Sequence, residues 1–307
     1  VIAMSATLDP GPVSDRLGDA PVVESAGRMF PVETRYLDRE PAGRLDVNVA
    51  SLVRRALNEE PGSALVFLPG VAEIRRVEDA LRDNVGPGVD VAPLYGDLSP
   101  ADQDRAISPA PAGRRKVVLA TSIAETSLTI EGVRIVIDGG QMRLPRFSPR
   151  SGMTRLETVR VSQASADQRR GRAGRLEPGV CYRLWTEEAQ RGLLPFTPPE
   201  ILDADLAPLA LELAAWGADP ATLPWLTPPP AAALATARAL LLDLGALDEG
   251  GAITAHGRAM VRLGQHPRLA HLVLKGRELG QGKVAAFIAA ILSERDFLRL
   301  PPGQRDA

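Results

Sequence analysis

Cysteine is almost absent: Cys181 is the single one among 307 residues. One thiol excludes a disulfide framework and a cysteine-based zinc site within one chain, and it fits a reducing, cytoplasmic compartment. Aromatic residues are scarce at 4%, so stacking of nucleic-acid bases on a platform of rings is not expected. No apolar run approaches the roughly 20 residues that span a bilayer, and no membrane association is expected. The opening Val1-Ile2-Ala3-Met4 lacks an initiator methionine and a charged leader, so it does not read as a signal peptide. Positive charge is not in excess either, with 36 Lys and Arg against 38 Asp and Glu and a net charge of −2. Any site for a polyanion must therefore be a local patch. Gly (28) and Pro (27) together stay below the roughly one quarter of residues that marks low complexity.

What is present divides the chain in two. Val1–Met4 reads as a buried strand ending in a polar turn, its sheet neighbours lying outside the sequence, as if the chain began inside a truncated domain. From about Arg28 to Thr186, short apolar runs alternate with helix-like or loop segments: Val32–Leu37, Ala64–Leu68, Val89–Leu94, Lys116–Ala120, Val133–Ile137 and Val180–Trp185. Continuous runs such as Ala64–Leu68 suit strands covered on both faces, and Ile74, Val77 and Leu81 recur at helical spacing. The alternation predicts an α/β domain with a mainly parallel sheet. After Pro195 the pattern turns helical. Leu202, Leu206, Leu209, Leu213 and Trp216 share one helix face, with Gly217 as its stop. Leu234, Ala237, Leu241 and Leu244 repeat it up to Gly245. Asp248-Glu249-Gly250-Gly251 is a turn, and Thr254 caps a third helix carrying Met260 and Leu263. This order is compatible with a winged-helix domain. Leu269–Leu279 and Lys283–Leu292 read as two more helices, the second apolar on most faces and so expected to be buried.

The strongest chemical signal is Gln168-Arg169-Arg170-Gly171-Arg172-Ala173-Gly174-Arg175, four arginines in eight residues. Glycine allows close approach of a ligand to the backbone, and arginine presents a permanently charged fork that matches phosphate oxygens. If the segment opens a helix, Arg172 and Arg175 lie about one turn apart and face one phosphate, with Gln168 a turn earlier. The bland reading is a solvated basic helix or a plain RNA-binding patch. Arg143–Arg175 holds nine arginines and only two acids, Glu157 and Asp167, which is the local patch that the net charge conceals. For Arg143, Arg146, Arg150 and Arg155 taken singly, a solvated hairpin surface is the expected role.

Gln168–Arg175 resembles motif VI of superfamily 2 helicases in its DEAH-box form. Thr121–Ile130 is similar to motif V of the same family, Ser5-Ala6-Thr7 to motif III, and Leu65–Gly70 and Leu94–Leu98 to motifs IV and IVa, all in order. The segments Pro198–Ile201 and Asp205–Leu209 resemble the winged-helix and ratchet regions that follow, and Leu211–Gly217 and His266–Ala270 resemble the bacterial HrpB branch. The resemblance implies a RecA-like α/β domain followed by a winged-helix domain and the start of an all-α, ratchet-like (HA2) domain. The boundaries are 1–24 for the tail of a truncated first RecA-like domain, then 25–194, 195–264 and 265–307.

The resemblance also implies roles. Arg172 and Arg175 correspond to arginine fingers that reach the γ-phosphate, and Gln168 to the residue that positions the attacking water. Ser127, Thr129 and Glu131 match positions at the triphosphate and ribose, although the family more often has Asp where Glu131 stands. Thr121 and Ser122 match a pair that touches the RNA backbone, with Ser122 shorter than the usual Asn, and Gly96 falls in a nucleic-acid-binding motif. Ser5 and Thr7 match the motif that couples nucleotide state to domain closure. A local cap or turn bond is the competing role for each hydroxyl, Thr126 included.

No G-x-x-x-x-G-K-[ST] loop and no Asp-Glu-Ala-His sequence occurs. ATP and Mg²⁺ are therefore expected of an intact enzyme whose Mg²⁺ ligands and N-terminal RecA-like domain lie elsewhere. The expected partner is single-stranded RNA or DNA. The alternatives are a non-catalytic nucleic-acid-binding module that keeps the fold, and a double-stranded DNA translocase. His256, His266 and His271 lie in helical segments without an accompanying carboxylate pattern and read as surface or packing histidines, not metal ligands. Trp185, Trp216 and Trp225 read as core or interdomain packing.

Overall fold

The computed structural model describes residues 2–4, 10–24, 30–82, 84–125 and 130–293. The element order is α1 (Pro10–Arg16), β1 (Val32–Arg35), α2 (Leu45–Glu59), β2 (Ser63–Phe67), α3 (Val71–Leu81), β3 (Val89–Leu94), α4 (Pro100–Ile107), β4 (Arg115–Ala120), β5 (Val133–Asp138), β6 (Gln141–Ser148), β7 (Met153–Arg160), α5 (Gln163–Gly171), β8 (Gly179–Arg183) and α6 (Glu187–Arg191). It continues with α7 (Ala207–Trp216), α8 (Ala231–Asp243), α9 (Ala255–Leu263), α10 (Pro267–Glu278) and α11 (Gly282–Ser293). Two compact units result. The first holds Pro21–Pro145 and Arg155–Pro198; the second holds α1, Arg146–Thr154 and the described residues from Pro199 onward.

In the first unit, six strands form one sheet in the order β1-β8-β5-β2-β4-β3, and each neighbouring pair is parallel. This is the α/β architecture that the alternation predicts. Side chains along a strand alternate between faces, and here both faces are covered. Ala64, Val66 and Leu68 join Val53, Ile74, Val77 and Ile135 in one cluster, whereas Leu65 and Phe67 join Val118, Val136 and Cys181 in the other. Burial on both faces is why β2 reads as a continuous apolar run, each large side chain contributing about 2–3 kcal/mol. Ile74, Val77 and Leu81 are the buried face of α3, as their spacing predicts. The sheet strands lie within a residue or two of the expected segments. The pair β6 and β7 forms a separate two-stranded sheet.

Two cations, Arg115 half-buried and Lys116 buried, close helix ends. The Arg115 guanidinium donates to the carbonyl of Leu57 (2.7 Å) in the last turn of α2 and to those of Glu60 (2.7 Å) and Gly62 (2.6 Å) just after it. Lys116 Nζ donates to Arg105 O (2.6 Å) and Ser108 O (2.5 Å) at the end of α4. Those carbonyls have no partner within their own helices, and a cation also suits the negative end of the helix dipole. Burial depresses the pKa of both groups.

In the second unit α7, α8, α9 and α10 share a core containing Leu211, Ala237, Leu241, Met260 and Ala270. Gly217 ends α7 in the left-handed region at φ 74°, a conformation that side chains with a Cβ resist. Thr254 caps α9 by accepting from Gly257 N–H at 3.0 Å, and the turn before it closes with a bridge between Leu247 and Ile253.

Four expectations are corrected. Residues 2–4 form no strand, and Ile2 and Met4 are exposed; no sheet neighbour pairs with them among the described residues. Leu202 belongs to a short 3₁₀ turn, Glu200–Leu202, ahead of α7. Trp216, expected in packing, is the last residue of α7 and is 73% exposed. Helix α11 buries only Ala285 and Ala289, while Phe287, Ile291 and Leu292 are exposed. Helix α10 approaches its small residues closely, through Gly276 against Ala285, and leaves the larger ones uncovered.

Candidate functional site

The arginine-rich segment closes a helix and does not open one. Helix α5 begins at Ser162, whose Oγ accepts from Ser165 N–H at 3.1 Å. It ends at Gly171 and runs into a 3₁₀ turn, Arg172–Gly174, capped by Arg175. Residues three apart lie on the same side of a 3₁₀ turn, so Arg172 and its cap Arg175 are near enough for their charges to repel. The turn is tight for a reason internal to the fold. A Cβ on Gly174 would stand 2.5 Å from the Phe30 carbonyl oxygen and 2.7 Å from Val32 Cγ2, and Phe30 N–H donates to Gly174 O at 2.9 Å. Gly174 is thus explained by close packing on the approach to β1, not by approach of a ligand.

Within this segment the arginines divide sharply. Arg169 is 1% exposed and is among the largest fully buried side chains. Its Nε donates to Glu125 Oε1 (2.7 Å) and its Nη1 to Asp138 Oδ1 (2.8 Å) and Gln141 O (3.2 Å). Its Cζ lies 4.9 Å from the centre of the Phe67 ring. Burial opposes its charge, but Asp138 and Glu125 outweigh that and raise its pKa. Glu125 accepts a further bond from Ser165 Oγ at 3.0 Å, and Asp138 Oδ1 accepts from Gly140 N–H at 2.9 Å. Asp138 Oδ2 is buried with no hydrogen-bond partner among the described residues.

Arg172 is 8% exposed. Its pKa is pushed down to about 10, first by burial and then by the like charge of Arg175, with Glu125 acting in the opposite sense. Burial also depresses Arg175. One carboxylate therefore serves two arginines, one by direct contact and one by its field. Gln168 lies in the last turn of α5, half-buried. Asp167 on the same turn accepts from Arg183 Nη2 at 2.7 Å, and Arg183 Nη1 donates to Tyr36 Oη at 2.9 Å. In the hairpin Arg143 pairs with Glu73 at 3.2 Å and Arg146 with Asp203 at 3.5 Å.

The remaining expected residues form a second group. Strands β3 and β4 end side by side, with Thr121 N–H donating to Leu94 O at 3.3 Å. Gly96, Thr121 and Ser122 therefore follow the carboxyl ends of adjacent parallel strands, where open α/β sheets commonly bind ligands. Gly96 and Ser122 are exposed and Thr121 is half-buried. Thr121 occupies the cap position of the 3₁₀ turn Ser122–Ala124 without a side-chain cap bond, so its hydroxyl is not used as a local cap. Glu131 is exposed and stands just before the amino end of β5. Arg172 and Arg175 lie at that same end, since Gly174 packs near the start of β1 and Ala173 beside Gly179 at the start of β8. Gly96, Thr121 and Ser122 thus follow the carboxyl ends of their strands and Ala173, Gly174 and Glu131 lie toward the amino ends, while the Arg172 side chain feels Glu125, the residue that closes the Ser122–Ala124 turn. Ser5, Thr7, Thr126, Ser127 and Thr129 fall outside the described residues.

The sequence reading missed Glu125 and Asp138 as determinants of the site. Glu125 is the one acid in the otherwise neutral stretch Thr121–Ile130. Among the histidines, His266 Nε2 lies 2.9 Å from Asp205 Oδ2, the carboxylate that local spacing did not show. His256 Nε2 lies 3.0 Å from His271 Nδ1. Among the described residues no group of three or more His, Cys, Asp or Glu could hold a metal, and no helix is long and apolar enough to cross a membrane.

A parallel, RecA-like sheet with an arginine turn at the end of its last long helix defines a helicase C-terminal domain, and residues 48–177 match the family model described as helicase conserved C-terminal domain. Beyond that segment the chain is similar over most of its length to helicases of the DEAH/RHA class. It is 51% identical over 295 residues to the ATP-dependent RNA helicase HrpB of Escherichia coli, covering 96% of this chain and 36% of that protein. It is 39% identical over 302 residues to the pre-mRNA-splicing factor ATP-dependent RNA helicase prp22 of Schizosaccharomyces pombe, covering 95% of this chain and 26% of that protein. The crystal structure of the Escherichia coli DEAH/RHA helicase HrpB superposes with a TM-score of 0.91, at 51% identity, over 96% of this chain and 38% of that one. The chain therefore spans between about a quarter and two fifths of these relatives.

Proposed function

We propose that this chain forms one wall of the nucleotide site of an ATP-dependent RNA helicase and, at another edge of the same sheet, part of the path of the nucleic-acid strand. The observation that carries the reading is the pair Arg172 and Arg175, held together against their own repulsion on a turn braced by a buried ion pair. Two neighbouring guanidiniums on one turn match an anion with several oxygens, such as the γ-phosphate of ATP. Arg172 and Arg175 then stabilise the charge that spreads over the transferred phosphoryl group, and Gln168 orients the attacking water. Ser127, Thr129 and Glu131 complete the nucleotide contacts, and Ser5 and Thr7 couple nucleotide state to closure. The chain's own N-terminal RecA-like domain would supply the opposite wall. The Mg²⁺ that accompanies ATP is assigned to no residue here.

Gly96, Thr121 and Ser122 are assigned to the backbone of single-stranded RNA or DNA. Their position at the carboxyl ends of β3 and β4 supports this. The domains are proposed as 1–24, 25–194, 195–264 and 265–307, with a winged-helix domain in the third and the start of a helical ratchet-like domain in the fourth. Three helices and the Leu247–Ile253 bridge support the winged helix. A cytoplasmic setting is proposed with them. The test is RNA-stimulated ATP turnover of the full-length protein carrying Gln168→Ala or Arg175→Ala. Loss of turnover with RNA binding retained supports the nucleotide role. Turnover and RNA binding falling together would leave only a nucleic-acid-binding module.

A further inference from the structure

The second unit carries a cavity that the helicase reading does not use. It is open, has a volume of about 530 Å³, and is lined by Leu209, Glu212, Leu213, Trp216, Leu223, Pro224 and Trp225. Four of these residues come from one stripe of α7. The others come from the loop that follows, which is internally braced. Asp219 Oδ1 accepts from Ala221 N–H (2.9 Å), Thr222 Oγ1 donates to Asp219 O (2.9 Å), and Trp225 Nε1–H donates to Pro220 O (2.7 Å). The Trp225 ring is therefore set before any ligand arrives. Trp216, by contrast, is largely exposed. Glu212 is the single charged residue in the lining. It is exposed, and no hydrogen bond or ion pair engages its carboxylate among the described residues.

We infer that this cavity binds an arginine side chain of a partner polypeptide, with the guanidinium between the indoles of Trp216 and Trp225 and the carboxylate of Glu212. Electron-rich ring faces attract cations, tryptophan most strongly, and a planar guanidinium also stacks on an indole. The carboxylate supplies the matching charge and repels phosphate, so the pocket selects against the nucleic acid that the rest of the chain is proposed to bind. The apolar walls of Leu209, Leu213, Leu223 and Pro224 suit the arginine's methylene stem and an apolar neighbour.

The experiment is a tryptophan-fluorescence titration of the 307-residue chain with an acetylated, amidated Leu-Arg-Leu tripeptide. Its norleucine analogue and an oligouridylate serve as comparisons. The expected result is a saturable change with the arginine peptide, weakened about three- to fivefold in Glu212→Gln, abolished in Glu212→Lys, and lost from the signal in Trp216→Phe. Glu212 and Trp216 are exposed, and circular dichroism would verify that the variants keep the fold. No saturable change at millimolar peptide would overturn the inference. So would an equal response to the norleucine analogue, which would mark an apolar docking groove, or tight quenching by the oligouridylate, which would mark base stacking.

Discussion

Glu125 Oε1 and Arg169 Nη2 meet at 2.6 Å in the interior of the first unit, although 44 residues separate them in sequence. The pair ties the 3₁₀ turn after β4 to the helix that delivers Arg172 and Arg175. Asp138 at the end of β5 holds the other side of the same guanidinium. The arginine turn therefore rests on a buried ionic junction between two motif-bearing segments.

Breaking that junction from one side strands a buried charge. Arg169→Ala is expected to destabilise the first unit by about 3–5 kcal/mol, because two carboxylates lose their partner. Urea unfolding followed by circular dichroism checks this. A loss below about 1 kcal/mol would show that water replaces the guanidinium and that the junction is not structural.

Arg172 makes the opposite prediction. In a full-length protein carrying this chain, Arg172→Ala is expected to lower ATP turnover on the order of a thousandfold while leaving RNA affinity largely unchanged. Steady-state turnover and filter binding of labelled RNA give the two readouts. Equal losses in both would favour a plain basic patch.

The 307-residue chain alone contains neither the phosphate loop nor the Asp-Glu-Ala-His acids. It is expected to hydrolyse ATP no faster than buffer, with or without RNA. A sensitive phosphate-release assay tests this, and RNA-stimulated turnover would contradict it.

His256 predicts a pH dependence of the second unit. Burial, then the neighbouring His271 and Lys275, lower its pKa below the ordinary 6.5, with Glu278 opposing. The unfolded chain then binds the proton more readily than the folded one. Stability from this group is present above about pH 6.5 and is lost as pH falls through the lowered folded value. Thermal melts between neutral and mildly acidic pH should show that decline, and His256→Gln should flatten it. An unchanged slope in the variant would assign the decline to other groups.

Much of this molecule is local in origin and so is legible along the chain. Strand β2 is apolar throughout because both sheet faces are covered, α3 shows its buried stripe as Ile74, Val77 and Leu81, and Gly217 stops α7 because only a left-handed residue fits there. Gln168–Arg175 stands out along the chain because its residue types and spacing suit phosphate oxygens. Tertiary structure alone decided which of those arginines is buried. Chain spacing records separation, not depth, and the partners of Arg169 lie 44 and 31 residues away. It likewise paired His266 with Asp205 across 61 residues, and it left exposed much of α11, whose composition suggested a buried helix. Hydrophobic pattern states what a segment can bury; only the arrival of another segment determines what it does bury.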